Sequence, residues 1–537
     1  MDETRVLRTE QEQRMRRRTL LGGLGAALLL AGCSIAPAGT GAPTGASQAG
    51  ANQSAAAGEA GGTIRVGVNS MPPGLGNPFT GIGAQSVYTW SAIFDPLVMV
   101  DNKGVPQPWL ASSWRNVDPM TWEFDLRPDV KFSDGTPFDA EAVKATVDFL
   151  VSEAGAASVV GSEMSMLQAA TAVDSDTVRI TTKRPEASFP ARMSAVYIVS
   201  PTAWSSLGPE GFAAKPVGTG PFVIESINAE RASADAFTDS WRKPQAERIE
   251  WTKLADAPSR LQALPSKQLD MAISLPPDQR ADIESSGETL NVQSAPQVMA
   301  WALTQTIGGD KPVKNPKVRL ALNHAIDRQA ISDSIMAGLA RPATQGSTEG
   351  TFGYNPEIKG YDYDPAKAKE LLAEAGYPDG FSMTATVTVG SFPGDGDIYQ
   401  AVAAYLSEVG VNVSFETVQF SQWLERYQQN TWTTDAFNQS WNVAPTGDAI
   451  RPAMIFSCLK AKPFVCDESL TPLIEQSNAE FDVDKRRALL QEMATKYYDN
   501  PPSLLLIEQV DIVATGAAVR GFEMTSRFIA YDKITVR

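Results

Sequence analysis

The sequence predicts an exported protein with a mixed α/β body. Three observations predict it: a basic, apolar leader ending at a cysteine, strand-like alternation, and several capped helices interspersed among those strands. The chain has 537 residues, long enough for about three or four domains. No internal repeat of short period interrupts it.

The leader comes first. Arg14, Arg16, Arg17 and Arg18 form a basic region ahead of the apolar stretch Leu20 to Ala31. That stretch is shorter than the about 20 residues a bilayer takes. It ends in Leu30-Ala31-Gly32-Cys33, which resembles a lipobox. Residues 1–32 therefore read as a lipoprotein signal peptide, with Cys33 as the lipid attachment site. Arg17-Arg18-Thr19-Leu20-Leu21 also resembles a twin-arginine export signal, and the sequence leaves both export routes open. Residues 33–62 are almost wholly Ala, Gly, Ser, Thr, Pro and Gln, with Glu59 the one charge. Such a segment buries too little apolar surface to order itself, so it reads as a tether.

The body opens with the alternating strand Thr63 to Val68. A second strand, Thr121 to Leu126, puts Trp122, Phe124 and Leu126 on one face. After the Asp134-Gly135 turn, Asp139 caps a helix whose stripe is Val143, Val147 and Leu150. Asn315-Pro316 starts another helix, with Val318, Leu322 and Ala325 facing the core. Asp364-Pro365 repeats the device, with Ala368, Leu371, Leu372 and Ala375 on the stripe and Gly376 as the stop. Ser382 to Val387 is a further strand.

Composition excludes several functions. Lys and Arg total 46 against 62 Asp and Glu, a formal charge of −16, so a nucleic-acid partner is not expected. His324, the one histidine, lies in a helical string and reads as a structural residue. No metal centre or His-based triad is expected. The sequence has no G-x-S-x-G elbow, H-E-x-x-H or P-loop, and no enzyme and no cofactor are expected. With Cys33 lipidated, Cys458 and Cys466 remain. In an exported protein they read as a disulfide, the alternative being two buried thiols.

Several strings resemble a family. Ser91 to Val98 (SAIFDPLV), Pro108 to Trp114 (PWLASSW) and Phe124 to Phe138 (FDLRPDVKFSDGTPF) are followed by Val217 to Phe222 (VGTGPF). Then come Val318 to Arg328 (VRLALNHAIDR), Tyr363 to Phe381 (YDPAKAKELLAEAGYPDGF) and Val519 to Phe522 (VRGF). In this order they resemble the peptide- and nickel-type solute-binding proteins of ABC importers, family 5. The resemblance implies a periplasmic-binding-protein type II-like α/β fold, cluster C: two lobes with a hinge plus an extra inserted domain. Domain I would comprise 63–98, 205–301 and 508–537, domain II 99–204, and domain III 302–507. The chain crossings would lie near Trp301 and Leu505.

The resemblance further implies capture of a peptide or related small organic solute in an interlobe cleft. Delivery would be to a permease and ATPase, from a monomer anchored through Cys33 outside the cytoplasmic membrane or in the periplasm. An exported hydrolase of peptides or glycans, and a non-transport surface receptor or chaperone of the same fold, are the alternatives. Tyr88, Trp90, Trp301, Gln305, Phe437, Asn438, Trp441 and Asn442 are the candidate aromatic walls and polar hooks of the cleft. One position departs from the family pattern: where peptide binders often carry an aspartate, three residues after Trp441, this chain has Ala444. Either Asp448 replaces that acid or the solute is not a peptide with a conventional free amine. Arg451 is the candidate partner for a solute carboxylate.

Overall fold

The computed structural model describes residues 61–537. The leader, Cys33 and nearly all of the tether fall outside the described residues.

Strand β1 (Thr63–Val68) leads through the helix Ala84–Trp90 to the hairpin β2 (Val98–Val100) and β3 (Pro106–Pro108). Next come β4 (Ala111–Asp118), β5 (Thr121–Leu126), β6 (Leu167–Ala172) and β7 (Thr177–Thr182), a four-stranded antiparallel sheet ordered β4-β5-β7-β6. Helix Ala140–Val151 packs on it, capped by Asp139, whose carboxylate accepts the Ala142 N–H at 3.0 Å. Then follow β8 (Phe222–Ile227), β9 (Arg231–Ala236), β10 (Arg248–Lys253), β11 (Met271–Ile273) and the long β12 (Thr289–Leu303). The short β13 (Arg341–Pro342) precedes β14 (Phe381–Val387), β15 (Val411–Thr417), β16 (Ala436–Asn438) and β17 (Trp441–Asn442). The second long strand, β18 (Ser503–Thr515), comes last of those needed here.

These make one 12-stranded sheet ordered β15-β14-β16-β12-β18-β11-β1-β10-β9-β8, with β13 on β18 and β17 on β12. Strands β12 and β18 run antiparallel through its centre, from Thr289 opposite Thr515 to Ala302 opposite Ser503. One end of the pair continues into β11 and β1, and the other into β16 and β14. The two long strands therefore join the two halves. Their ladder is irregular between Ser294 and Val298 and again between Val298 and Ala300. A break in register bends the strand locally, and these breaks precede Trp301 by a few residues.

Alternation along β12 explains its apolar run. Met299, Trp301 and Leu303 enter one core cluster, while Val298, Ala300 and Ala302 enter another on the opposite face. The four-stranded sheet shares its core with β1 and β10: Phe124, Val178 and Ile180 belong to the same cluster as Ile64, Val66 and Trp251. Among the described residues no helix is long and apolar enough to cross a membrane.

Candidate functional site

A cavity of about 230 Å³ lies beside the break in the β12–β18 ladder. The turn between β2 and β3 supplies Asp101, Asn102 and Gly104 to its wall, and β12 supplies Gln293, Ser294 and Pro296. The loop Thr348–Thr351, together with Val443 and Gly447, closes it from the second half, and Ser526 completes it. The charged groups here are already engaged. Asp101 accepts the N–H groups of Lys103 and Val105 at 2.8 and 2.9 Å and the Gln107 amide at 2.9 Å. Glu349 pairs with Arg341. Gln293 donates to the Met524 carbonyl, and Thr348 and Thr351 bond each other through their hydroxyls. The lining is thus mostly neutral and polar, which suits a neutral polar or peptide-like solute.

Glycines make the seam at this cavity. Gly104, Gly350 and Gly447 have φ of 68, 90 and 61°, where a side chain is strained. A Cβ on Gly104 would lie 2.4 Å from the Gly447 carbonyl oxygen, and one on Gly350 would lie 2.3 Å from that of Asn102. The Phe352 N–H donates to the Gly447 carbonyl at 2.8 Å. Main chain thus meets main chain across the seam.

A charged layer flanks it. The short helix Val159–Glu163 faces the segment after β17. Arg451 grips Glu163 through Nε at 2.7 Å and Nη2 at 3.1 Å, and its Nη1 donates to the Asn442 carbonyl at 2.7 Å. Arg192 lies 3.2 Å from Glu186 and 3.8 Å from Glu163. Burial alone would raise the Glu163 carboxyl, but Arg451 and Arg192 override it and hold it below its ordinary range. Asp448 receives Arg486 Nη1 at 2.6 Å and caps the Ile450 N–H at 2.9 Å.

None of the side chains expected at the cleft lines the 230 Å³ cavity. Tyr88 is buried in the first core, and burial pushes its hydroxyl well above the ordinary value. Trp90 donates to the Leu75 carbonyl at 2.7 Å and meets Tyr197 edge-on. Trp301 is wedged between Tyr399 and Phe415, each 5.8 Å away. Gln305 pairs through its backbone N–H with the Phe464 carbonyl at 2.8 Å. Phe437 stacks on Trp432 at 3.9 Å, and Asn438 donates to Thr388 Oγ1 at 2.8 Å. Trp441 stacks on Phe456 at 4.1 Å and donates to Ser503 Oγ at 2.8 Å. Asn442 is half-buried, its side-chain oxygen accepting the Ala444 N–H at 2.8 Å.

The packing of these rings has a physical reason. Large aromatic rings bury the most apolar area, so the interior takes them first. Asp448 and Arg451 are not free hooks, because each is paired with a neighbour of opposite sign. The residues that do line the cavity were legible as turn signals at most: Asp101-Asn102-Lys103-Gly104, and the Gly/Ser/Thr run Gly346 to Gly353. His324 accords with a structural role, its Nδ1 3.0 Å from the Asp362 carbonyl. Cys458 and Cys466 form a disulfide.

Two halves sharing a central strand pair, with a cavity walled from both, make up a bilobal fold of the periplasmic type II kind. The chain belongs to the bacterial extracellular solute-binding proteins, family 5, whose profile matches residues 105–462. It is 36% identical over 273 residues to the glutathione-binding protein GsiB of Escherichia coli O1:K1, covering 50% of this chain and 52% of that one. The chain thus spans about half the length of the curated relatives it matches. The periplasmic binding protein DppA of Helicobacter pylori, solved with the peptide STSA, superposes with a TM-score of 0.74 at 23% identity. That match covers 89% of this chain and 98% of DppA. A dipeptide-binding protein of Pseudoalteromonas sp. SM9913, solved with Met-Leu, gives 0.74 at 20% identity, covering 89% and 100%. At these identities the likeness to solved structures carries the fold.

Proposed function

We propose that the protein is the extracytoplasmic capture component of an ABC importer for a short peptide or a related small organic solute. The observation that carries this is the cavity walled from both halves beside their shared strands, in a chain of the solute-binding family. A solute there touches both halves only when they close, so binding shifts the population toward the closed form. The protein hands the solute to a permease, and ATP hydrolysis belongs to other subunits. It works as a monomer on the outer side of the cytoplasmic membrane, held by a lipid on Cys33 and the tether 33–62 after removal of residues 1–32. The division into domain I (63–98, 205–301, 508–537), domain II (99–204) and domain III (302–507) belongs to the same reading.

The name of the GsiB relatives supports a peptide-like solute. Ala444 and the engaged Asp448 support one whose amine is not the main anchor. Native mass spectrometry of the purified protein with a pool of short peptides, amino-acid conjugates and oligosaccharides tests this. A discrete adduct with the pool unchanged is the expected result. Consumption of a pool member with new products would replace capture by hydrolysis, and a tightly held free-amine peptide would overturn the inference from Ala444.

A further inference from the structure

A second cavity, of about 250 Å³, opens where the four-stranded sheet meets the start of helix Val483–Asp499. Its walls are largely aromatic and apolar: Trp114 on β4, Trp122 on β5, Phe352 and Phe481, with the Trp122 and Phe481 rings 6.0 Å apart. Five polar residues interrupt them: Ser188, Asp448, Glu480, Arg486 and Arg487.

Their engagements are unequal. Ser188 donates to Glu186. Glu480 accepts the Asp482 N–H at 2.8 Å. Asp448 is matched by Arg486 Nη1. Arg486 also donates Nε to the Ser477 carbonyl at 3.0 Å, but its Nη2 has no partner although the residue is only 5% exposed. The side chain of Arg487 makes no hydrogen bond or ion pair among the described residues; its guanidinium is placed over an aromatic ring instead. Its guanidinium lies 4.5 Å from the centroid of Phe352, and that of Arg486 lies 5.0 Å from the same ring. Of two neighbouring guanidiniums over one aromatic ring, therefore, only that of Arg486 has a bonded carboxylate.

The geometry points to a second ligand site here, for a small molecule with a carboxylate at the arginine end and an aromatic or aliphatic body between the tryptophans. The carboxylate takes the unused donors of Arg487 and Arg486 as charge-assisted hydrogen bonds. The body displaces water from Trp114 and Trp122. A lone inorganic anion would leave the apolar wall unfilled. At this volume the occupant is fragment-sized, smaller than a drug-like ligand. The site shares only Gly104 with the cavity at the crossing strands, so it stands or falls separately from solute capture. Its walls come from the four-stranded sheet on one side and the second half on the other, so an occupant ties the two together.

The test is ligand-observed fluorine NMR on the whole protein with 4-fluorophenylacetate. The expected result is saturable line broadening, weakened about tenfold or more in Arg487→Gln through the loss of charge-assisted hydrogen bonds. Val105→Trp, at an exposed residue on the rim, fills the cavity without touching the arginines and also abolishes the broadening. The neutral 4-fluorophenylacetamide binds about tenfold more weakly than the acid. Wild-type affinity in both variants, or no saturation up to about 10 mM, would overturn the site. Tighter binding of 4-fluorophenethylamine than of the acid would overturn the carboxylate assignment.

Discussion

Replacing Glu508 by glutamine should stabilise the protein by about 3 kcal/mol at pH 8 and by about 1 kcal/mol at pH 5. Glu508 lies on β18, opposite Val298 of β12 on one side and Arg341 of β13 on the other, and is 4% exposed. Burial pushes its carboxyl from the ordinary 4.5 up to about 7, with Arg341 opposing and Glu349 adding to the rise. In the unfolded chain the carboxyl ionises near its ordinary value, so between the two values the folded state binds more protons. Stability contributed by this group is then full below the unfolded value and is lost as pH rises through the folded one. The difference amounts to about 3 kcal/mol at about 1.4 kcal/mol per pH unit. Glutamine carries no charge to desolvate, so the variant escapes that loss. Urea unfolding of both proteins at pH 5, 6, 7 and 8, at one ionic strength, gives the stability difference directly. All other titrations are common to both and cancel. A difference that is constant across the series would refute the reasoning.

Other perturbations probe the seam and the core. Glu163→Gln leaves the guanidinium of Arg451 buried beside a neutral partner, and thermal unfolding should show a loss of about 3 kcal/mol. Gly104→Ala drives a Cβ against the Gly447 carbonyl at a positive φ, costing about 1 to 3 kcal/mol. Small-angle scattering should then show a larger radius of gyration, and an unchanged profile would count against a close seam. Trp301→Ala should cost about 3 to 5 kcal/mol in urea unfolding, because the ring fills a core. Solute affinity of the folded fraction should stay at the wild-type value, since Trp301 does not line the cavity.

Local features of the fold were legible in the sequence because they depend on neighbours in the chain. Strand Thr63–Val68 and strand Thr121–Leu126 follow from alternation, and Trp122, Phe124 and Leu126 are all buried as the pattern requires. Asp139, Asn315 and Asp364 each accept the backbone N–H that a cap accepts. The site was not legible in this way. Its walls come from Asn102, Ser294, Thr348 and Ser526, which are far apart in the chain and meet only on folding. Trp301 shows where the sequence held a usable signal. Its strand is apolar at odd and even positions alike, which marks a strand with a core on both faces. The same residue read as a cleft wall when taken alone. Asp448 and Arg451 carry charges whose partners, Arg486 and Glu163, become neighbours only on folding.

The glycine seam has a consequence for how such a protein diversifies. Gly104, Gly350 and Gly447 let main chain rest on main chain, so docking of the two halves there asks nothing of the surrounding side chains. Ser294 lines the cavity without forming part of that backbone contact, so it is the position where a change of side chain would leave the joint's fit intact. The joint itself is a backbone contact, and the side-chain ion pair of Arg451 with Glu163 beside it is the part of the contact that a substitution can loosen.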